Sequence, residues 1–170
     1  MWQVEDMLRG LGLDINRVKN ELIARFQVDE KTAQEMYDWY DNLIEMMRME
    51  KVEQAGHIQV LRNDVNELTE LHFFLLHEVH DMRYQQIVSG AAMNLVEFRT
   101  KSGVGNEVSD VELALNALYG HLMLRLQKKE VSAQTLQAME AFGKMIGYLA
   151  ARYKKMEEET KVCLPRGMQR

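Results

Sequence analysis

Residues 67–84 read ELTELHFFLLHEVHDMRY and gather three of the chain's five histidines, His72, His77 and His80, among four acids, Glu67, Glu70, Glu78 and Asp81. Imidazoles and carboxylates three or four residues apart on one helix face are what a divalent ion or a proton-transfer step requires. A helix turns by about 100° per residue. On that wheel Leu61, Val65, Leu68, Leu75 and Val79 form one face, with His72 in its middle. His77 and His80 point to the opposite side, so the three rings do not converge on one ion. The four acids share an arc away from His72. Glu67, Glu70, Glu78 and Asp81 therefore read as a solvated face, with a metal site as the weaker alternative. His72 reads as a core histidine with a hydrogen-bond partner.

The acid pairs have the E-x-x-E and E-x-x-D spacing of the magnesium site in the all-α nucleotide pyrophosphatases, but the likeness is superficial. In that family the pairs stand on two helices that face each other across a substrate. Here seven residues separate Glu70 from Glu78, which puts both pairs on one helix. A di-iron bundle needs E-x-x-H on two helices, and the sequence contains neither E-x-x-H nor H-E-x-x-H.

The second chemistry-bearing stretch is ELALNALYGHLMLRLQKKE, residues 112–130. It is apolar on most sides, which predicts the central helix of a bundle, yet it carries Asn116, Tyr119, His121 and Arg125. His121 and Arg125 are four apart and share a face. One reading is an inter-helix pocket of His72, Asn116, Tyr119, His121 and Arg125, with Arg125 binding a carboxylate or phosphate. The favoured reading is structural, with Arg125 reaching an acidic partner at the bundle edge. Phe73 and Phe74 lie off the apolar arc and call for cover, from another helix of the chain or from a partner. With Met46 and Met49 they are the candidate contact residues, although core filling is the stronger expectation for the methionines. Gly143, Gly147 and Ala151 form a small-residue line that allows close helix approach.

The elements that must position these groups are helices. Apolar residues recur at three and four throughout, and the single proline is Pro165. The fold class is all-α, a bundle of four to five main helices plus a short N-terminal helical segment. The first piece covers about residues 2–9 and ends at Gly10–Gly12. Asp14 caps a helix to about Phe26, and Asp29 caps another to about residue 52, with Met36, Tyr40, Leu43, Ile44 and Met47 on its buried arc. After Gly56 a helix runs from about His57 to Val79. Asp81 either caps a separate helix to about Lys101 or lies in one long kinked helix. SGVGN, residues 102–106, is a linker, and Ser109 with Glu112 forms a capping box for a helix to about Lys129. Ser132 caps the last helix, to about Thr160. Residues 1–160 are expected to be one domain and 161–170 a disordered tail.

Composition narrows the function. The net charge of −5 and the lack of a basic stripe argue against nucleic-acid binding. Cys163 is the lone cysteine, which fits a reducing compartment. The N-terminus has acids where a signal peptide would be basic, and no apolar run spans a bilayer. A cytoplasmic protein without membrane attachment is expected. No phosphate loop or nucleophile elbow occurs, and no cofactor is expected.

Five segments, MWQVEDMLR, ELIARF, WYDNLIEMMR, GHIQV and NALYGHLMLRLQKKE, resemble an uncharacterised family of small bacterial proteins, a domain of unknown function of the Bacteroidetes. The resemblance runs from the N-terminus to about residue 157. It implies a single all-helical domain, with no activity, cofactor or site residues to carry over. The expectation is a non-enzymatic protein that works through contact with an unknown protein or with itself as a homodimer. The alternative is a small-molecule or metal-dependent enzyme with a pocket around His72, His121 and Arg125.

Overall fold

The computed structural model describes residues 1–163, and side chains as far as residue 159. The all-α class is the observed one, and no strand occurs among the described residues. The helices are α1 (Trp2–Gly10), α2 (Ile15–Arg17), α3 (Glu30–Met49), α4 (Gln59–Phe73), α5 (Met82–Ser102), α6 (Asp110–Leu126) and α7 (Ala133–Cys163). α2 continues through a wide π turn, Val18–Leu22, and a 3-10 turn, Ile23–Arg25. Another π turn, Phe74–Glu78, prolongs α4. The chain divides into two compact units, Met1–Asp64 and a second from Val65 onward.

Local chemistry starts these helices where the sequence predicts. Asp14 accepts from the Asn16 amide at 2.8 Å and Asp29 from the Thr32 amide at 3.0 Å. Asp81 accepts from the Tyr84 amide at 3.0 Å, so α4 and α5 are separate helices. Ser109 and Ser132 accept from the amides of Glu112 and Thr135, each at 3.1 Å. Each bond satisfies a first-turn donor that has no partner within its helix. α5 ends on Gly103, whose φ of 67° is the left-handed conformation that glycine adopts without penalty. Arg99 then pins the linker, donating to the carbonyls of Gly105 and Val108 and to Asp110.

In the first unit, Tyr40, Leu43, Ile44 and Met47 of α3 are buried with Leu8, Val18 and Ile58, and Met36 packs partly buried against them. In the second unit, α5, α6 and α7 enclose Tyr84, Leu95, Leu113, Phe142, Met145 and Leu149, with Leu71 and Leu75 joining the same core.

Several expectations change. α6 is not buried along its length: Val111, Leu113, Ala114 and Ala117 are, but Leu126 is 57% exposed. The π turn after Phe73 inserts an extra residue, which rotates the residues beyond it by about 100°. Val79 accordingly leaves the apolar face and is exposed. Gly143, Gly147 and Ala151 face solvent, and a Cβ added at either glycine would meet nothing within 4 Å. α7 runs to Cys163, past the end expected at Thr160. The rest of the expected tail, 164–170, lies outside the described residues.

Candidate functional site

His72 is buried, and its Nδ1 lies 2.7 Å from the Tyr84 hydroxyl. Burial holds the imidazole pKa below its ordinary value and drives that of Tyr84 up, since neither charged form is stable away from water. A neutral ring beside a protonated phenol is the result, the two sharing one hydrogen bond whose donor is set by the imidazole tautomer. The Tyr84 ring stacks on Tyr148 at 5.3 Å, and the Tyr148 hydroxyl donates to Asp81 at 2.7 Å. The Tyr84 amide, the Tyr148 hydroxyl and, at 3.8 Å, Arg152 stabilise the Asp81 anion and lower its pKa. The same bond to Asp81 raises that of Tyr148. Asp81 is thus a helix cap inside a structural network.

A second polar cluster lies in the first unit. Glu5 is fully buried; its carboxylate accepts from the Ile58 amide at 3.0 Å and from His57 Nδ1 at 2.5 Å. The Trp2 ring stacks on His57 at 4.5 Å. One turn along α1, Arg9 donates to the carbonyls of Val52 and Gly56. A carboxylate on Nδ1 fixes the imidazole tautomer, as in a general base. Arg9 also pairs with Asp6 of its own helix at 2.7 Å, but the bonds to Val52, Gly56 and Ile58 all go to the turn before α4, so the cluster acts as a clamp on that turn.

The third feature is a cavity of about 450 Å³ in the second unit, bounded by α5, α6 and the start of α7. Phe98, Leu124, Met139 and Phe142 give it an apolar floor, and Phe142 is fully buried. At the mouth, Lys101 pairs with Glu97 at 2.5 Å, and Gln134 donates to the same carboxylate. His121 enters the cavity wall beside Gly120, and its Nε2 is buried without a hydrogen-bond partner.

The family described as "Domain of unknown function (DUF4924)" matches residues 1–160. This chain belongs to that family. No curated protein and no solved structure matches it.

Two segments that carry the family resemblance meet in space. MWQVEDMLR supplies Trp2, Glu5 and Arg9, and GHIQV supplies Gly56, His57 and Ile58 of the clamp. The sequence signal for it was an acid on the buried line Trp2, Glu5, Leu8, three residues apart; its partner lies 52 residues away.

The five-residue pocket is not assembled. Of His72, Asn116, Tyr119, His121 and Arg125, only His121 lines the cavity. His72 is occupied by Tyr84, and Asn116 and Arg125 are exposed. Arg125 forms no ion pair with an acid at the bundle edge among the described residues. Glu67, Glu70 and Glu78 are exposed, Glu67 accepting from Tyr153, and no group of three metal-ligating side chains occurs among the described residues. Phe73 and Phe74 are 53% and 45% exposed, and Phe73 meets the rings of its own helix, at His72 and His77. Met49 is exposed, whereas Met46 packs partly buried on the first core.

Proposed function

We propose that this DUF4924 protein is a cytoplasmic, non-enzymatic module that works by protein contact, with a second copy of itself as partner. The observation that carries this reading is the outer face of α5. Met82, Gln86, Ser89, Met93, Val96 and Thr100 follow at alternating steps of four and three residues, and all six are exposed. Met82, Met93 and Val96 are 75%, 81% and 65% exposed. That alternation is the seam along which two helices pack at a shallow crossing angle. It extends for about 27 Å at 1.5 Å per residue. None of the six is charged, so an identical face laid against it meets no like charge. The lone cysteine fits a reducing compartment. Among the described residues, no helix is long and apolar enough to cross a membrane.

Sedimentation velocity across a concentration series tests the reading. The wild type is expected to be dimeric at micromolar concentration. Met93→Asp with Val96→Asp is expected to sediment as a folded monomer. A wild type that stays monomeric at high concentration, or a double variant that still dimerises, rejects α5 as the contact face.

A further inference from the structure

We propose that the second copy lies antiparallel along the α5 seam, about a two-fold axis near Gly90, with Arg83 of each chain paired to the partner's Glu97. This inference rests on the self-association proposed above and adds its orientation and the residues that set it.

The spacing of the seam fixes the facing pairs. In an antiparallel helix pair the two alternating rows of a seam meet each other, and two-fold symmetry sets residue i against j and j against i. Met82 then faces the partner's Thr100, Gln86 the partner's Val96 and Ser89 the partner's Met93, all three pairs centred on position 91. The flanks follow from the same register. On the flank beside α7, Arg83, Gly90 and Glu97 recur every seven residues, so Arg83 meets the partner's Glu97 and Gly90 meets its own copy. Symmetry forms this ion pair twice. On the other flank Ala92 meets its own copy and Gln85 faces the partner's Arg99, a position where the guanidinium is held by Asp110 at 2.8 Å. No like-charged pair arises among these positions. In a parallel pair, Arg83 and the partner's Glu97 would lie about 21 Å apart along the helix, at 1.5 Å per residue.

The single chain carries three features that this arrangement uses. Arg83 is exposed, lies over the Tyr148 ring at 6.0 Å and forms no ion pair among the described residues. Glu97 pairs with Lys101 at 2.5 Å through one carboxylate oxygen, and a carboxylate accepts further donors through the other. Gly90 stands in the middle of α5, where glycine is unfavourable, yet a Cβ there would meet nothing within 4 Å. No contact inside its own chain calls for that glycine. With Ser89 and Ala92 it leaves room for a second backbone at the crossing.

The test is sedimentation velocity, with circular dichroism to check that each variant is folded. Arg83→Glu sets acid against acid at both symmetric sites and is expected to weaken the dimer about tenfold or more; Glu97→Arg sets base against base with the same effect. Mixed in equal amounts, the two variants are complementary at both sites and are expected to pair as tightly as the wild type. Cross-linking reads the orientation separately. With Cys163→Ser as background, Met82→Cys mixed with Thr100→Cys is expected to form an intermolecular disulfide under mild oxidation, and neither alone. A dimeric wild type whose two charge variants dimerise undiminished or fail to pair when mixed, or whose Met82→Cys form links to itself, overturns the antiparallel pairing and leaves the α5 seam standing. A monomeric wild type overturns both.

Discussion

Tyr84→Phe removes one oxygen from the centre of the second unit. The ring and its stack on Tyr148 stay in place. The change removes the bond to His72 Nδ1, on a histidine only 4% exposed. A buried polar atom left without a partner costs about 1–3 kcal/mol. His72→Leu with Tyr84→Phe removes both polar partners, and the double variant is expected to be no less stable than Tyr84→Phe alone. The assay is urea unfolding by far-ultraviolet circular dichroism, together with amide exchange on α5 and α7. Both tryptophans, Trp2 and Trp39, lie in the first unit and do not report on this site. The network also fixes a pH dependence. Burial holds the folded His72 pKa below its ordinary value of 6.5, so the unfolded chain takes up a proton first as the pH falls. This contribution to stability is therefore constant above that value. It declines between 6.5 and the lower folded pKa, by at most about 1.4 kcal/mol per pH unit. His72→Leu is expected to lose that slope. Unchanged stability in Tyr84→Phe, with the same acid slope in His72→Leu, would refute the reasoning.

Glu5→Ala leaves the buried Ile58 amide and His57 without their acceptor, and is expected to destabilise the first unit by about 1–3 kcal/mol. Trp2 emission should report the loss, because its ring stacks on His57. Gly143→Ala and Gly147→Ala are each expected to stabilise α7 by about 0.5–1 kcal/mol, as solvent-facing helical glycines; a lowered melting temperature would mean that a helix packs on that line. Phe73→Ser with Phe74→Ser is expected to leave the dimer intact, because the proposed seam lies on α5; a monomeric variant would move the interface to these rings.

The helix starts were legible because a capping bond closes over two or three residues, so Asp14, Asp29, Ser109 and Ser132 announce themselves locally, whereas at Asp81 only the bond to the Tyr84 amide decides between a cap and a kinked helix. The buried arc of α3 and the burial of His72 were also legible, because periodicity reports which face of a helix is dry. Periodicity does not report what that face meets. His72 found Tyr84 twelve residues on, and Glu5 found His57 across 52. Neither pairing leaves a mark within a single helix. The π turn after Phe73 shifted the phase that any regular wheel assumes, and so misplaced Val79. The cavity belongs wholly to tertiary structure. His121 was visible as a polar residue on an apolar helix, but only the arrangement of α5, α6 and α7 puts it at a cavity wall with its Nε2 buried and unpartnered. Arg125, four residues on, is exposed because the buried residues of α6 end at Ala117, and Asn116, five residues back, is exposed as well. Sequence by itself determined which segments are helical and where they begin, since those bonds are short-range. Tertiary packing decided which polar groups meet, because that depends on faces brought together across tens of residues.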